Sequence, residues 1–345
     1  MTTLTIGTRG SQLALAQTHQ VAQALRDAHP GLEIGIEIIS TKGDRVLDIA
    51  LSKIGDKGLF VKEIEQALGE GRIDLAVHSA KDLPSRLMDG LMLGAIPARA
   101  DACDALVILN GQHTSSSFGL VALPHAAHVG SSSLRRASQL RALRADVRIG
   151  EIRGNVDTRL HKLAHGQYDA IVLAAGGLHR LGLIAPQPSD APQTFASGGS
   201  SFTALLLPTH LMLPAVAQGA LGIECRADDE RTLALLQPLN DADTCACVTA
   251  ERAFLRTLEG GCQIPVAAYA TITNRVLHMR GLVASLDGAT GVRGECAGDV
   301  AQAETLGHAL ANQLLANGGA AILDAIRSQM FQPDRTLRLL SATTN

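Results

Sequence analysis

The run Val77-His78-Ser79-Ala80-Lys81-Asp82-Leu83-Pro84 closes an apolar, strand-like segment with four polar side chains of different chemistry. Strand ends in α/β sheets are where ligands sit. Lys81 can pair with an anionic substituent. Asp82 can hold a cation or an acidic N–H and so stabilise positive charge that develops during a reaction. A surface Lys–Asp pair, worth little energetically, would use the same two residues. A second segment, Gly7-Thr8-Arg9-Gly10-Ser11, follows a strand and opens a helix. Free N–H groups and the dipole of a helix start attract an anion, and Arg9 adds a two-point contact to a carboxylate or phosphate. An ordinary strand–turn–helix junction with Ser11 as N-cap accounts for the same residues. No Gly-Lys-Ser/Thr follows, so this is not a Walker A loop.

A third constellation is basic. Arg135, Arg136, Arg141, Arg144, Arg148, Arg153, Arg159 and Arg180 put 8 of the 24 arginines into 46 residues. The block opens with Val129-Gly130-Ser131-Ser132-Ser133-Leu134, where a strand gives way to a helix and Ser133 sits at the junction. Arg153-Gly154-Asn155 repeats the arrangement one strand later, with Arg159 a turn further in. Arginine suits planar, two-point carboxylate recognition better than lysine does. Arg141, Arg144 and Arg148 are expected on a solvated helix face. The fourth segment, Leu258-Glu259-Gly260-Gly261-Cys262-Gln263-Ile264-Pro265, puts a cysteine in a glycine turn after a long helical pattern. A thiolate there can act as nucleophile or covalent anchor, while a small apolar filler is the ordinary role of a lone cysteine. No metal site is expected, since Cys245 and Cys247 have the wrong spacing for a zinc knuckle.

These residues need a scaffold of alternating strands and helices, and the periodicity supplies one. Strands are expected at Leu4–Gly7, Ile34–Ile39 and Ile73–His78, with helices at Ser11–Ala28 and Phe60–Leu68. A second alternation follows, with strands at Ala105–Leu109, Val147–Ile152 and Tyr168–Ala174 and helices at Ser133–Arg144 and Asn155–His165. The class is therefore α/β, with mainly parallel sheets covered by helices. Thr41–Leu59 is long enough to be a lid. The Pro/Ser/Gly-rich stretch Ala185–Thr203 reads as a mobile surface insertion. Helical periodicity in Asp229–Leu236 and Thr244–Leu258 precedes strands at Val266–Ile272 and Val276–Ala284, then one helical stretch, Ala301–Arg327. The expected division is a discontinuous first lobe of residues 1–103 and 213–237, and a second lobe of 104–200 carrying the insertion at about 185–203. A C-terminal α+β domain of 240–330 and a tail of 331–345 complete it.

Composition narrows the function. The 345 residues carry 33 acidic and 30 basic groups, a net charge of −3, and the basic groups are 24 Arg against 6 Lys. A general polyanion binder needs a net basic face. Six Phe, two Tyr and no Trp leave little for stacking on single-stranded nucleic acid. Ala191–Ile223 lacks charged residues over 33 positions, but three prolines, a serine cluster and His210 disqualify it as a membrane span. The start lacks the basic and apolar regions of a secretory signal, so the cytoplasm is expected, with the six cysteines as reduced thiols.

Taken together, TRGS (Thr8–Ser11), KGLFVKE (Lys57–Glu63), DLAVHSAKDLP (Asp74–Pro84), VGSSSLRR (Val129–Arg136), RGNVDTRL (Arg153–Leu160), YDAIVLAAGGLHRLG (Tyr168–Gly182), LPAVAQGALGIECR (Leu213–Arg226) and LEGGCQIP (Leu258–Pro265) closely resemble the porphobilinogen deaminase (hydroxymethylbilane synthase) family. The resemblance implies two periplasmic-binding-protein-like (type II) lobes around a cleft, plus a smaller α+β C-terminal domain. It implies a transferase of tetrapyrrole and haem biosynthesis that joins four porphobilinogen molecules on a covalent dipyrromethane cofactor and releases linear hydroxymethylbilane. On this pattern Cys262 anchors the cofactor by a thioether and Asp82 is the catalytic residue. Lys81, Asp82, Ser133, Arg135 and Arg136 bind the cofactor, and Arg9, Ser11, Arg153, Arg159 and Arg180 bind substrate. Lys53, Lys57 and Phe60 belong to a lid. The resemblance also suggests a monomer that passes its product to the next pathway enzyme, with no nucleic-acid or membrane partner. Ala80, Ala217 and Asp157 depart from residues common in the family (Met, Gly and Gly).

Overall fold

A computed structural model describes residues 3–45, 61–111, 120, 123–186, 191–258 and 264–330. Lys53, Lys57, Phe60 and Cys262, together with the tail 331–345, lie outside the described residues. The first 95 residues run β1 (Thr3–Thr8), α1 (Gln12–Ala28), β2 (Glu33–Ile38), a short α2 (Lys42–Arg45), α3 (Lys62–Gly69), β3 (Leu75–Ser79) and β4 (Leu91–Ala95). Ser11 caps α1, its Oγ accepting from the Ala14 N–H at 3.3 Å. Helix α1 buries Ala14, Val21, Ala22 and Leu25, spaced to fall on one face, against Leu4 and Ile6 of β1 and Leu75 and Val77 of β3. Helix α3 packs Ile64, Ala67 and Leu68 on the opposite side of the sheet with Ile73 and Ala76.

The chain then crosses to a second sheet. It contains β5 (Asp104–Leu109), β6 (His128–Gly130), α4 (Leu134–Leu143), β7 (Arg148–Gly150), α5 (Val156–Ala164), β8 (Ala170–Ala174), α6 (Ala175–Arg180), β9 (Gln193–Ser197) and β10 (Ser200–Leu207), with strand order β7-β6-β8-β5-β10-β9. Much of Ala185–Thr203, expected as a mobile insertion, is instead the β9–β10 hairpin, paired from Ser197–Ser200 to Gln193–Ala204. Gly198 and Gly199 both have positive φ, 56° and 79°, as a tight two-residue turn requires. Strand β10 pairs antiparallel with β5 as far as Leu207–Asp104, so the second sheet runs past the expected limit at 200.

After β10 the chain returns to supply β11 (Leu221–Arg226), which completes the first sheet in the order β2-β1-β3-β11-β4. It lies antiparallel between β3 and β4, whereas β1, β2 and β3 are mutually parallel. Helices α7 (Glu230–Leu236) and α8 (Ala242–Thr257) follow, then β12 (Val266–Thr273), β13 (Val276–Ala284) and β14 (Gly291–Asp299) as a third, antiparallel sheet. The last expected helix is broken in two, α9 (Ala303–Leu314) and α10 (Ala320–Met330). Gly318 between them has φ +108°, which no helix accommodates. Phe254 of α8, Leu310 and Leu314 of α9 and Val283 of β13 form the core of this third unit.

Two connections link the first two sheets, Ile96–Cys103 and Pro208–Ala220, and they touch where they cross. The Ala100 N–H donates to Gly219 O at 3.2 Å. Gly219 has φ +88°, and a Cβ there would lie 2.5 Å from Ala100 O and 2.9 Å from Asp101 O. Only glycine permits that approach.

Candidate active site

The cleft between the first two sheets, about 620 Å³, is walled by strand ends and helix starts. Its size falls within roughly 300–1,000 Å³, the range of small-molecule sites. The first sheet contributes Arg9, Gly10 and Ser11 at the β1–α1 junction, and Ser79, Lys81 and Asp82 at the end of β3. The second contributes Arg136 from the first turn of α4, Arg153 and Arg159 around the start of α5, and Arg180 at the end of α6. Nine residues singled out from sequence thus line one cavity: Arg9, Ser11, Lys81, Asp82, Arg136, Arg153, Arg159, Arg180 and Asn155.

Ser133 and Arg135 are placed elsewhere. Ser133 caps α4, accepting from the Arg136 N–H at 3.4 Å, and does not line the cleft. Arg135 turns beneath it, donating Nη1 and Nη2 to Asp104 at 2.8 and 3.3 Å and Nη1 also to Leu213 O at 2.8 Å. One helical step along, Arg136 donates Nε and Nη2 to the same carboxylate at 2.9 and 2.7 Å while still bordering the cavity. Arg141, Arg144 and Arg148, expected on a solvated face, each bind a main-chain carbonyl: Leu286, Leu120 and Ala126 at 2.7, 2.7 and 3.0 Å. Donors in a planar fork gain more from a fixed carbonyl than from water when the stem already lies along the surface.

Asp104 is the residue that sequence reading missed. It is fully buried at the start of β5. Burial alone would raise its carboxyl pKa, but Arg135 and Arg136 outweigh that and hold it well below the usual range. Gln218, also fully buried, donates Nε2 to Asp104 Oδ1 at 2.9 Å and accepts from Lys81 Nζ at 3.3 Å. Burial, reinforced by Arg136, pushes the Lys81 amine down to about 8, with Asp82 and Asp104 opposing the shift. Burial also lowers Arg159 and Arg180 to about 10, so both keep their charge at neutral pH.

The lining is electrostatically unbalanced. Arg9, Lys81, Arg136, Arg153, Arg159 and Arg180 face it, against Asp82 and Asp157. Arg180 donates Nη2 to Gly219 O at 2.7 Å, yet its buried Nε has no partner among the described residues. A polar group kept dry without a partner costs free energy, and an anionic ligand would supply the missing acceptor. Two other thiols are accounted for: burial pushes Cys225 up to about 11 and Cys247 up to about 12, which leaves both as inert fillers. Among the described residues no cluster of His, Cys, Asp and Glu is suited to a metal ion.

Fold and site together define a two-lobed α/β protein whose cleft, lined by six basic side chains, suits a small anionic ligand. Residues 4–234 match the porphobilinogen deaminase dipyrromethane cofactor binding domain, and residues 245–316 match the C-terminal domain of the same enzyme. The porphobilinogen deaminase of Roseiflexus castenholzii is 52% identical over 320 residues, covering 93% of this chain and 98% of that one. That of Syntrophotalea carbinolica is 50% identical over 323 residues, covering 94% and 96%. The chain belongs to the porphobilinogen deaminase family.

Proposed function

We propose that the chain joins four porphobilinogen molecules head to tail on a dipyrromethane primer anchored at Cys262, losing ammonia at each addition, and then hydrolyses the product free as linear hydroxymethylbilane. The observation that carries this reading is the surplus of cationic side chains around the cleft: six basic side chains line it against Asp82 and Asp157, and they still outnumber the acidic groups once Asp104, paired with Arg136, and Glu151, 3.5 Å from Arg153, are added. Every porphobilinogen unit brings an acetate and a propionate, so a chain that grows by two carboxylates per round requires many fixed cations. The dipyrromethane fits these surroundings, because its own carboxylates would meet Arg136 and Lys81 at the cleft wall, and Lys81 gives only one of its three ammonium donors to Gln218. When bound, it supplies the free pyrrole carbon to which the first unit is joined.

Within the cleft Arg9, Ser11, Arg153, Arg159 and Arg180 orient the carboxylates of the incoming unit. Ser133 and Arg135 act one step behind Arg136, the first by starting α4 and the second by sharing Asp104. Asp82 stands beside Lys81 on the 3₁₀ turn that ends β3. Its carboxylate stabilises the positive charge left on the pyrrole when the aminomethyl group of porphobilinogen departs as ammonia. Lys53, Lys57 and Phe60 belong on this reading to a lid. The first two sheets correspond to two lobes, the second being residues 104–207, and residues 240–330 to the cofactor-bearing domain. The enzyme would work in the cytoplasm as a monomer and hand its product to the next enzyme of tetrapyrrole synthesis; no helix among the described residues is long and apolar enough to cross a membrane.

Intact-mass measurement of the purified protein tests the proposal. The expected result is an increment of one dipyrromethane that Cys262→Ser abolishes, and a pink colour with Ehrlich's aldehyde reagent. An unmodified mass without colour would overturn it.

A further inference from the structure

We propose that Gln218 is a positioning residue for this reaction: its side-chain amide, locked by Asp104, holds Lys81 in the cleft and ties it across the two lobes to the Arg135–Arg136 pair. The inference rests on the function proposed above. Gln218 itself does not line the cleft, although the next two residues, Gly219 and Ala220, do. It therefore acts through its neighbours.

The chemistry of those neighbours dictates which way the amide points. Nε2 donates to Ala102 O at 2.8 Å and to Asp104 Oδ1 at 2.9 Å, and both of these oxygens can only accept. Oε1 must then face the other way, where it accepts from Lys81 Nζ at 3.3 Å. A flipped amide would set its NH₂ against an ammonium and its oxygen against a carboxylate. The main chain is fixed as well, since Gln218 O accepts from Arg99 Nε at 2.8 Å. Arg99 is in turn gripped at two points by Glu251 of α8, at 2.6 and 3.1 Å. One buried amide thus joins the turn after β3 to the start of β5 and, through Asp104, to α4, and its backbone reaches the third unit.

The arrangement leaves Lys81 prepared for a ligand. Among the described residues Gln218 Oε1 is its hydrogen-bond acceptor, so two of the three ammonium donors remain for a carboxylate. The charges acting on it are Asp82 and Asp104, which favour the ammonium, and Arg135 and Arg136, which oppose it. A neutral acceptor holds the amine in place without cancelling the charge that the ligand needs.

Labelling by acetic anhydride, read by peptide mass spectrometry, follows the pH midpoint of Lys81 in the purified protein without any turnover. Gln218→Met keeps the side chain's length and removes the acceptor. The midpoint should fall by about half a unit to one unit, roughly a three- to tenfold loss of proton affinity, and KM for porphobilinogen should rise by a larger factor than kcat falls. Gln218→Glu keeps an oxygen for Lys81 but sets its second oxygen against Asp104, which holds a proton on the new carboxyl; Lys81 then keeps a neutral acceptor, and its midpoint should stay near that of the wild type. Packing damage alone would not lower the Met variant and spare the Glu variant. If Gln218→Met does not fold, Gln218→Ala removes the same acceptor and should lower the midpoint likewise. An unmoved midpoint in the folded variant that lacks the acceptor overturns the inference. If the mass of the same samples shows dipyrromethane while the midpoint stays put, the positioning role fails and the reaction stands. A moved midpoint without dipyrromethane upholds the contact and removes the reaction.

Discussion

Asp82 and Asp104 are two aspartates of one site given opposite work by their surroundings. Asp82 is exposed at the cleft, with its carboxylate open to a ligand, whereas Asp104 is enclosed by two guanidinium groups and an amide. Asp82→Asn should leave thermal unfolding unchanged and reduce turnover by about a hundredfold or more; near-normal product formation would remove Asp82 from the chemistry. Asp104→Asn strands two buried cations and should cost about 3–5 kcal/mol in a urea titration. Because the folded-state pKa of Asp104 is depressed, its contribution is present above the unfolded carboxyl value and is lost as pH falls through the folded one. Acid unfolding of the wild type should therefore contain a component that the Asn variant lacks. That Lys81, Asp82 and the strand-end arginines line the cleft was legible in the sequence, because strand ends of α/β sheets border the crevice between lobes. Arg135 and Arg136 were not distinguishable, since one step of helix rotation decides which faces the cleft. Asp104 and Gln218 gave no local signal, because their partners lie 31 and 137 residues away.

Among the elements, those stabilised by their own periodicity were foreseen, including α1, α3, α4 and α5 and the parallel strands between them. Strand β11 was harder to see, because its pairing with β3 is set by a chain that has passed through another sheet first. The β9–β10 hairpin was marked by Gly198-Gly199, but the polar residues around that pair obscured it. Crossing of the two connections depends on Gly219. In Gly219→Ala the new methyl group meets two main-chain oxygens in a backbone conformation that disfavours side chains, and neither oxygen sits on a flexible group. The expected loss is about 2 kcal/mol or more, read as a lower guanidinium midpoint. A variant as stable as wild type would mean that the crossing yields easily.

Across the whole molecule the abundance of arginine has two origins. Part of it lines the cleft. Much of the rest fastens one element to another: Arg226 donates to Leu68 O and Ile73 O at 2.9 and 2.8 Å, Arg252 to Pro84 O at 2.8 Å, and Arg141 to Leu286 O at 2.7 Å. Such contacts are invisible in a charge count and explain how a slightly acidic chain uses 24 arginines. The return of β11 to the first sheet also has a consequence during synthesis. Strands β1 to β4 leave the ribosome early, but the gap between β3 and β4 stays empty until Leu221–Arg226 is made, about 125 residues after Ala95. At roughly 5–20 residues per second that wait is on the order of ten seconds. The second sheet, continuous from Asp104 to Leu207, is complete sooner. Nascent chains arrested with residue 207 outside the exit tunnel should resist protease at the strands and helices of the second sheet, β5 to β10, while remaining cleavable at those of the first, and extension past residue 226 should protect both sets. The amino-terminal lobe is thus the first to be translated and the second to mature, an inversion that gives chaperones an open sheet to guard.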